Sequence, residues 1–445
     1  MLPRYGERSL AEVLPALAAA IGVPGIGAVP DLGLPPAHAA ALLLVDGLGA
    51  ELLAAHPADA PFLTSLATAD PLTVGFPSST SISLASLGTG LPPGAHGMVG
   101  ISFRAAGEAL LDSLKWSSYG EPDPVDLREF LPPEHVQPWP TILQRAAAEG
   151  VHVTSVSPAE FRGSGLTRAA LRGGNYHGVH ALGDLAAGVI ESLSGPGPRL
   201  AYAYHAHLDA LGHLHGPGTP PWRLQLRQID RLVETIVEHL PPDTLLAVTG
   251  DHGMVRLTRH YDADVLGGLQ NGVRLLGGDP RSRHVYTEPG AEADVLAAWR
   301  GVLGDDAWVV TRDEAVAAGW FGALGEHVAP RIGDVVVAMR GTAGVTRTVA
   351  EPMLSTLPGQ HGSLSSAEQL FPSSSPAPPP DPRESALPVA RVGSSGSPSL
   401  RSPARESRSR GHRVGANAAG RAPTPAVRRG GGPSSRPGPR CGSRP

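Results

Sequence analysis

Aspartate and histidine residues lie in four short segments that are far apart in this 445-residue chain. The segments are Leu42–Gly47, Asp209–His213, Val248–His252 and Gly359–Gly362. A sheet that gathers the ends of its strands at one edge makes such distant residues neighbours in space. Carboxylate oxygens and imidazole nitrogens are the ligands of hydrolytic zinc sites. These residue types and positions therefore predict a metal site with two ions at the edge of a sheet.

The motifs differ in how strongly they indicate metal ligands. Asp251 and His252 are adjacent at a predicted strand end and offer one oxygen and one nitrogen ligand close together. Asp209 and His213 are four positions apart, so one turn of helix directs both toward a common point. Asp46 is weaker evidence on its own, because many strand-to-helix turns carry an aspartate. Three nearby histidines lack such spacing and are expected to be solvated or to lie outside the ligand set: His205, His207 and His215.

A cluster of hydroxyl residues offers a candidate nucleophile. The segment Phe76–Ser83 ends a predicted strand and opens a helical stretch that continues through Leu87. A hydroxyl at a helix N-terminus lies beside free backbone N–H groups and the positive end of the helix dipole, which favours a phosphoryl group there. A serine and threonine cluster at this position is more often a helix cap. Both interpretations remain open from these residues alone.

The chain alternates between apolar runs and amphipathic segments over residues 1–345, which is typical of an α/β fold. Such a fold has a central, mainly parallel sheet flanked by helices. The predicted strands are Ala41–Val45, Val151–Val156, Leu200–Tyr204 and Leu245–Thr249. The predicted helices are Pro140–Glu149, Leu182–Leu193 and Trp222–Leu240. Asp46, Asp209 and Asp251 then follow strand ends, where open α/β sheets bind their ligands.

A segment between two of the metal-ligand motifs has strand candidates of its own. They are His284–Thr287, Trp308–Thr311 and Asp334–Met339. We expect residues 255–355 to contain a smaller lobe or cap that is inserted into one catalytic domain, residues 1–371.

The composition changes abruptly after Phe371. Residues 372–445 are rich in Pro, Ser, Gly and Arg and have no periodicity, so they predict a disordered tail. We consider three interpretations of this tail: a solvated appendage without function, a segment that binds RNA or acidic lipid, or out-of-frame translation of a GC-rich gene end. A frameshift would mean that the native residues after Phe371 are different.

Charge and cysteine content exclude some classes of protein. The tail holds 13 arginines and three acidic residues, which leaves 23 basic and 38 acidic residues in residues 1–371. This acidic body shows no sign of a nucleic-acid surface, and any phosphate substrate needs local positive charge such as bound metal. The only cysteine is Cys441, so no disulfide forms within one chain, which favours the cytoplasm. The N-terminal residues are a poor signal peptide, and no segment is predicted to span a membrane.

Five motifs in a fixed order resemble those of the alkaline phosphatase superfamily. Within it, the chain most resembles the type I phosphodiesterase/nucleotide pyrophosphatase family, over about residues 38–371. The motifs are Asp46, Phe76-Pro77 with Thr80 and then Thr89–Gly97, Asp209–Pro217, Asp251–Met254, and His361-Gly362.

This resemblance implies a site and an activity. One zinc ion would be held by Asp209, His213 and His361, and a second by Asp46, Asp251 and His252. Thr80 would be the nucleophile and would contact the second metal, with manganese as an alternative to zinc. The implied reaction is hydrolysis of phosphodiester or nucleotide pyrophosphate bonds through a phosphothreonine intermediate, with a small phosphate ester or nucleotide as substrate.

The sequence departs from the family pattern at one position. The family commonly has Asn three residues after the nucleophile, where this chain has Ser83. Either the Ser81 backbone N–H and a water replace that donor, or the transition state is held less well, since losing one such donor is worth on the order of 3 kcal/mol. The segment Gly100–Tyr119, with Lys115 and Trp116, is where we expect recognition of the leaving group. The alternative for this segment is a surface loop with one packed tryptophan.

Other functions remain open from the sequence. A phosphomonoesterase or phosphonate hydrolase of the same superfamily would use nearly the same residues. A sulfatase is disfavoured, because its formylglycine nucleophile arises from Cys or Ser, and no cysteine lies near the predicted site. A catalytically silent metal-binding protein is a further alternative. The sequence does not determine the oligomeric state.

Overall fold

The computed structural model describes residues 1–26, 30–67, 70–107 and 109–374. Within these residues the helices are α1 (Val13–Ala20), α2 (Ala50–Ala55), α3 (Pro61–Leu66), α4 (Thr80–Thr89), α5 (Pro93–His96), α6 (Pro133–Val136), α7 (Ile142–Ala148), α8 (Gly165–Ala170), α9 (Leu182–Leu193), α10 (His207–His215), α11 (Pro220–Glu238), α12 (Glu292–Leu303), α13 (Arg312–Ala317), α14 (Pro352–Thr356) and α15 (Ser366–Gln369). Short 3-10 turns cover Leu10–Glu12, Ala159–Phe161, Gly267–Leu269, Gly304–Asp306 and Ala329–Arg331.

The strands are distributed over one large sheet and several smaller ones. In the described residues they are β1 (Ala39–Val45), β2 (Leu72–Thr73), β3 (Ser102–Ala106), β4 (Ala109–Asp112), β5 (Ser117–Ser118), β6 (His152–Pro158), β7 (Asn175–Val179), β8 (Arg199–His205), β9 (Thr244–Thr249), β10 (Val255–Arg256), β11 (Arg259–Asp262), β12 (Val273–Asp279), β13 (Ser282–Thr287), β14 (Ala307–Thr311), β15 (Val335–Met339), β16 (Ala343–Thr346), β17 (Gly359–Gln360), β18 (Leu370–Phe371) and β19 (Ser373–Ser374).

The central sheet has the strand order β19-β9-β1-β8-β6-β7. Strands β9, β1, β8, β6 and β7 are parallel, and β19 pairs with β9 in the antiparallel direction. All seven residues of β1 are buried, as expected for a strand whose two faces are both covered. The predicted α/β fold with a mainly parallel sheet is therefore confirmed.

Alternation along β1 divides the core into two layers. Leu43 lies in the apolar cluster that includes Ile229 of α11. Leu44 points to the opposite face and lies in the cluster that includes Leu87 of α4. Helices on both faces thus hold the sheet rigid, and loops at its carboxyl edge are free to present functional side chains.

The inserted lobe has a sheet and a core of its own. Its strand order is β12-β13-β15-β14, and each neighbouring pair is antiparallel. Val285, Trp299 and Val337 belong to a separate apolar cluster that fills this lobe. A buried ion pair of 2.6 Å between Arg281, in the turn before β13, and Glu368 of α15 ties the lobe to the segment that follows His361.

Differences from the sequence predictions lie at edges of the fold. The edge strand β7 and the three-stranded sheet β3-β4-β5 were not predicted. The tail was expected to begin at residue 372, but β19 extends the central sheet to Ser374. The rest of the predicted tail lies outside the described residues. In the part of the chain that the structure describes, no helix combines the length and hydropathy needed to span a membrane.

Candidate active site

Three segments that leave the central sheet at its carboxyl edge carry the predicted metal ligands other than His361, which follows β17. Val45 at the end of β1 is paired with His205 at the end of β8, so Asp46 and the start of α10 lie side by side. Asp251 follows the neighbouring strand β9. Gly47 has a φ of +75° in the turn after Asp46, and a Cβ atom there would lie 3.0 Å from the Cα of Asp209. A glycine therefore permits the close approach of two of the loops.

One cluster consists of Asp46, Asp251 and His252. His252 Nε2 lies 3.3 Å from Asp46 Oδ1 and 3.6 Å from Asp251 Oδ2. Thr80 Oγ1 lies 3.2 Å from the same histidine nitrogen and 3.5 Å from Asp46 Oδ1. The ligand atoms of Asp46, Asp251 and His252 are close enough to one another to share one metal ion.

A second cluster lies beside the first. Asp209 carboxylate oxygens lie 3.4 Å from His213 Nε2 and 3.7 Å from His361 Nε2, and these two histidine nitrogens are 3.1 Å apart. The ring of His252 stacks on that of His361 with 3.6 Å between centroids. The ligand atoms of His252, Asp209 and His361 are also close enough to one another to bind one metal ion. The two clusters are therefore contiguous.

The other ring nitrogen of each histidine faces a backbone carbonyl. Nδ1 of His213 lies 2.7 Å from the Gly359 carbonyl oxygen, and Nδ1 of His361 lies 2.8 Å from that of Ser78. Nδ1 of His252 lies 3.0 Å from the carbonyl oxygen of Gly253. A carbonyl accepts only, so Nδ1 carries the proton and donates, which directs the Nε2 lone pair toward a metal.

Two carboxylates of the site have a buried oxygen without a hydrogen-bond partner, which is an environment that suits a bound cation. Asp209 Oδ1 and Asp251 Oδ2 are buried and have no hydrogen-bond partner. Burial raises the pKa of Asp209 to about 6 and raises that of Asp251 well above its ordinary value. Burial opposes protonation of His252, but the charges of Asp251 and Asp46 outweigh it and raise the pKa of His252 to about 10. Divalent cations with oxygen and nitrogen ligands therefore fit this donor set.

Thr80 is the first residue of α4 and is partly exposed. Ser79 occupies the N-cap position without a side-chain capping bond, so the first N–H groups of the helix are available to an anion. The segment before Thr80 is held by the His361 loop, since Ser78 Oγ donates to the Ser363 carbonyl oxygen at 2.8 Å. One set of contacts therefore positions both the nucleophile candidate and His361.

The two serines after Thr80 are buried and engaged with the protein. Ser83 Oγ donates to the carbonyl oxygen of Asp251 at 2.7 Å. Ser81 Oγ accepts a hydrogen bond from Ser113 Oγ, also at 2.7 Å. Ser83 therefore holds the Asp251 loop against α4, and its hydroxyl is not directed at a phosphoryl group. The expectation that the Ser81 backbone N–H donates to a phosphoryl oxygen stays a prediction.

Lys115 and Trp116 have different environments. Lys115 is exposed and, with Thr80, lines a cavity of about 340 Å³. Trp116 is fully buried, and its Nε1 donates to the Leu131 carbonyl oxygen at 2.8 Å. A Cβ on Gly165 would lie 2.2 Å from its ring, so α8 packs directly on the tryptophan. The expectation that Trp116 binds substrate is corrected, because this side chain belongs to the core.

Sequence reasoning missed the role of Tyr204. Its hydroxyl donates to Asp46 Oδ2, and its ring also lines the cavity next to Thr80. The only signal in the sequence is the alternation in β8 that places Tyr202 and Tyr204 on one face. His205 is buried and pairs with Gln225 at 3.0 Å, so it lies outside the ligand set, as expected.

The fold and site define an α/β protein that gathers carboxylates, histidines and a helix-terminal threonine at one sheet edge. The chain belongs to the type I phosphodiesterase / nucleotide pyrophosphatase family, whose model matches residues 40–364. This is a family of enzymes that act on phosphoric esters.

Curated relatives match only short parts of the chain. GPI ethanolamine phosphate transferase 3, catalytic subunit, of Mus musculus is 38% identical over 84 residues, which are 18% of this chain and 7% of that protein. The Homo sapiens protein of the same name is 46% identical over 52 residues, which are 12% of this chain and 5% of that protein. The chain thus spans a small fraction of the length of these relatives.

Solved structures share the fold at low identity. Murine ectonucleotide pyrophosphatase / phosphodiesterase 5 superposes with a TM-score of 0.57 at 16% identity, over 75% of this chain and 87% of that one. An inactive variant of that protein has been solved in complex with AMP. Phosphonoacetate hydrolase from Sinorhizobium meliloti 1021, in complex with phosphonoformate, gives 0.57 at 21% identity, over 78% of this chain and 93% of that one.

Proposed function

We propose that this protein hydrolyses phosphodiester or nucleotide pyrophosphate bonds through a covalent phosphothreonine at Thr80. The observation that carries the proposal is the position of Thr80 Oγ1. It lies within 3.5 Å of both Asp46 Oδ1 and His252 Nε2, at the N-terminus of a helix. A nucleophile, an anion-binding helix end and metal-ligand side chains thus meet at one point.

We assign the metal ligands to two sites. Asp209, His213 and His361 would hold one ion, and Asp46, Asp251 and His252 would hold the other with Thr80 beside it. The donor set suits zinc, and manganese is accepted by the same side chains. Such ions lower the pKa of a hydroxyl that contacts them and stabilise charge on phosphoryl oxygens.

The chain's own residues account for the order of bond changes. Thr80 Oγ1 gives its proton to solvent and attacks phosphorus, so that a threonine oxygen–phosphorus bond forms while the bond to the leaving oxygen breaks, and that oxygen takes up a proton from solvent to leave as the alcohol. The backbone N–H groups at the start of α4 donate to a phosphoryl oxygen. Water then attacks phosphorus from the side that the alcohol vacated, and the threonine oxygen takes up a proton. Two displacements predict net retention of configuration at phosphorus.

Charge around the cavity favours a diester over a monoester. Among the described residues that line it, Lys115 is the only basic one. A phosphomonoester carries a second negative charge beside Asp46 and Asp209, whereas a diester carries one. A phosphomonoesterase or phosphonate hydrolase remains the second candidate, since the phosphonoacetate hydrolase shares the fold.

The test compares bis-p-nitrophenyl phosphate with p-nitrophenyl phosphate as substrates. The protein is stripped of metal, and zinc or manganese is restored. We expect metal-dependent release of p-nitrophenol that is faster from the diester and is lost in Thr80→Ala. Preference for the monoester would favour the second candidate. Metal binding without turnover of either ester would favour a catalytically silent protein.

A further inference from the structure

Glu368 of α15 makes contacts through both its side chain and its backbone. Its carboxylate accepts hydrogen bonds from Arg281 Nε at 3.0 Å and Nη2 at 2.6 Å, and from the Ser363 N–H at 3.0 Å. Its backbone carbonyl oxygen accepts a hydrogen bond from the Gly253 N–H at 2.9 Å. Glu368 thus joins the inserted lobe to two segments that each follow a candidate metal ligand by one or two residues.

The segment that contains Ser363 orients His361. The Ser363 carbonyl oxygen accepts a hydrogen bond from Ser78 Oγ at 2.8 Å, and the Ser78 carbonyl oxygen lies 2.8 Å from His361 Nδ1. Gly362 donates its N–H to the same Ser78 hydroxyl at 3.2 Å. These bonds hold the His361 segment against the residue that faces its ring, and Glu368 holds that segment through the Ser363 N–H.

The segment that contains Gly253 orients His252. The Gly253 carbonyl oxygen lies 3.0 Å from His252 Nδ1. The backbone of α15 lies directly against this glycine, since a Cβ atom there would be 1.9 Å from the Ala367 carbonyl oxygen. Glu368 is therefore hydrogen-bonded to both segments whose backbone contacts orient the stacked rings of His252 and His361.

We propose that Glu368 is a positioning residue through which the lobe sets the orientation of His252 and His361 for metal binding. The inference rests on the proposed function, because it concerns the ligands assigned there. The groups behind a histidine ligand tune metal affinity, since they fix the direction of the imidazole lone pair. Hydrogen bonds to a charged carboxylate are strong and directional, which suits a group that fixes two loops at once.

A second buried ion pair of the lobe provides a matched comparison. Arg283 donates to Glu351 through Nη1 at 3.0 Å and Nη2 at 2.8 Å, and both side chains are buried. Among the described residues, Arg347 and Tyr119 are further side-chain partners of Glu351. None of these partners adjoins a candidate metal ligand in the sequence. The two ion pairs are therefore alike in chemistry and burial and differ in their connection to the metal site.

Zinc binding by Glu368→Gln and Glu351→Gln tests the proposal without requiring turnover. Each variant leaves a buried guanidinium without its carboxylate, so Tm should fall by a similar amount in both. Competition with a zinc chelator, at a temperature where both variants are folded, should show about tenfold weaker zinc binding in Glu368→Gln and unchanged binding in Glu351→Gln. Equal zinc affinity in the two variants would overturn the proposal.

A double variant separates positioning from the loss of stability. Arg281→Met combined with Glu368→Leu removes both charges, and an apolar pair of similar volume often keeps the stability of a buried ion pair. The Ser363 N–H then lacks its carboxylate acceptor, so zinc affinity should stay about tenfold below that of the parent protein even where Tm recovers. Recovery of zinc affinity together with Tm would show that the pair acts on stability alone, and would overturn the proposal.

This proposal and the proposed function fail in different ways. Equal zinc binding in the parent and in all variants, with diester hydrolysis intact, would remove the positioning role of Glu368 and leave the proposed function in place. Weaker zinc binding in the Glu368 variants, with no hydrolysis of any ester by the parent, would retain the positioning role and remove the proposed reaction.

Discussion

Tyr204 donates a hydrogen bond to one oxygen of Asp46, and the other oxygen faces His252 and Thr80. Its hydroxyl donates to Asp46 Oδ2, while Oδ1 lies 3.3 Å from His252 Nε2 and 3.5 Å from Thr80 Oγ1. Burial and the nearby charge of Asp46 raise the pKa of Tyr204 well above its ordinary value, so the hydroxyl stays protonated. The tyrosine thus orients a carboxylate that lies at the centre of the site.

Removal of that hydroxyl should weaken metal binding. In Tyr204→Phe, Asp46 loses a donor that holds its orientation, and we expect zinc affinity to fall about 10- to 100-fold. Competition with a zinc chelator measures this change. Tyr202→Phe is a matched control on the same face of β8, because the Tyr202 hydroxyl has no hydrogen-bond partner. Equal zinc affinity in the two variants would contradict the role of Tyr204.

Removal of the His213 imidazole should affect one ion more than the other. This side chain contacts Asp209 and His361 but is not part of the Asp46 cluster. We expect His213→Ala to reduce bound zinc from about two ions per chain to about one after dialysis, since a zinc site needs at least three protein ligands. Elemental analysis gives the count. His207→Ala, an exposed histidine of the same helix, should keep both ions, and equal losses in the two variants would refute the assignment.

The buried ion pair between Arg281 and Glu368 should contribute strongly to the free energy of unfolding. The Glu368 carboxylate accepts hydrogen bonds from Arg281, from the Ser363 N–H and from Ser365 Oγ, and neither charged side chain is exposed. Glu368→Gln leaves a buried guanidinium unpaired, so the free energy of unfolding should fall by about 3 to 5 kcal/mol. Denaturant unfolding measures it.

An exposed ion pair provides the comparison for that variant. Arg231 and Glu234 form a pair of 2.7 Å on the surface of α11. Glu234→Gln should change the free energy of unfolding by less than about 1 kcal/mol. Similar losses in Glu234→Gln and Glu368→Gln would show that burial does not set the strength of these pairs.

Asp59 should make stability depend on pH in the acid range. Hydrogen bonds and charge from Arg223 and Arg227 hold the pKa of Asp59 below its ordinary value. A folded-state pKa below the unfolded-state value, about 3.9, adds stability above that pH and loses it as the pH falls through the folded-state value. Asp59→Asn should therefore lower Tm at pH 7, and the gap to the parent protein should close below about pH 4. The exposed Asp123 is the control, and Asp123→Asn should leave Tm unchanged. A gap that persists unchanged to about pH 2 would contradict this account.

The sequence predicts the strands that carry the ligands because their signals are local. Ala41–Val45 and Leu245–Thr249 are apolar runs that end at an aspartate-containing turn, and both are strands in the structure. Asp251-His252 and the Asp209 to His213 spacing bring ligand atoms together through these strand ends and one helical turn. Local spacing therefore suffices to predict that these candidate ligands lie close together.

Contacts between distant segments could not be read from the sequence in the same way. The environment of Trp116 depends on α8, which packs on its ring through Gly165. The hydrogen bond from the Tyr204 hydroxyl to Asp46 depends on the register between β1 and β8. The sheet partner of Ser373 depends on an exposed edge of β9, which no composition signal marks. These features follow from tertiary packing and required the structure.

The most direct test of the central claim is to trap the covalent intermediate at Thr80. Zinc-loaded protein is mixed with bis-p-nitrophenyl phosphate, quenched in acid and analysed by peptide mass spectrometry. The account predicts a p-nitrophenyl phosphoryl group on Thr80, released p-nitrophenol in equal amount during the first turnover, and neither signal in Thr80→Ala. Hydrolysis that continues in Thr80→Ala with no modified peptide would contradict the account.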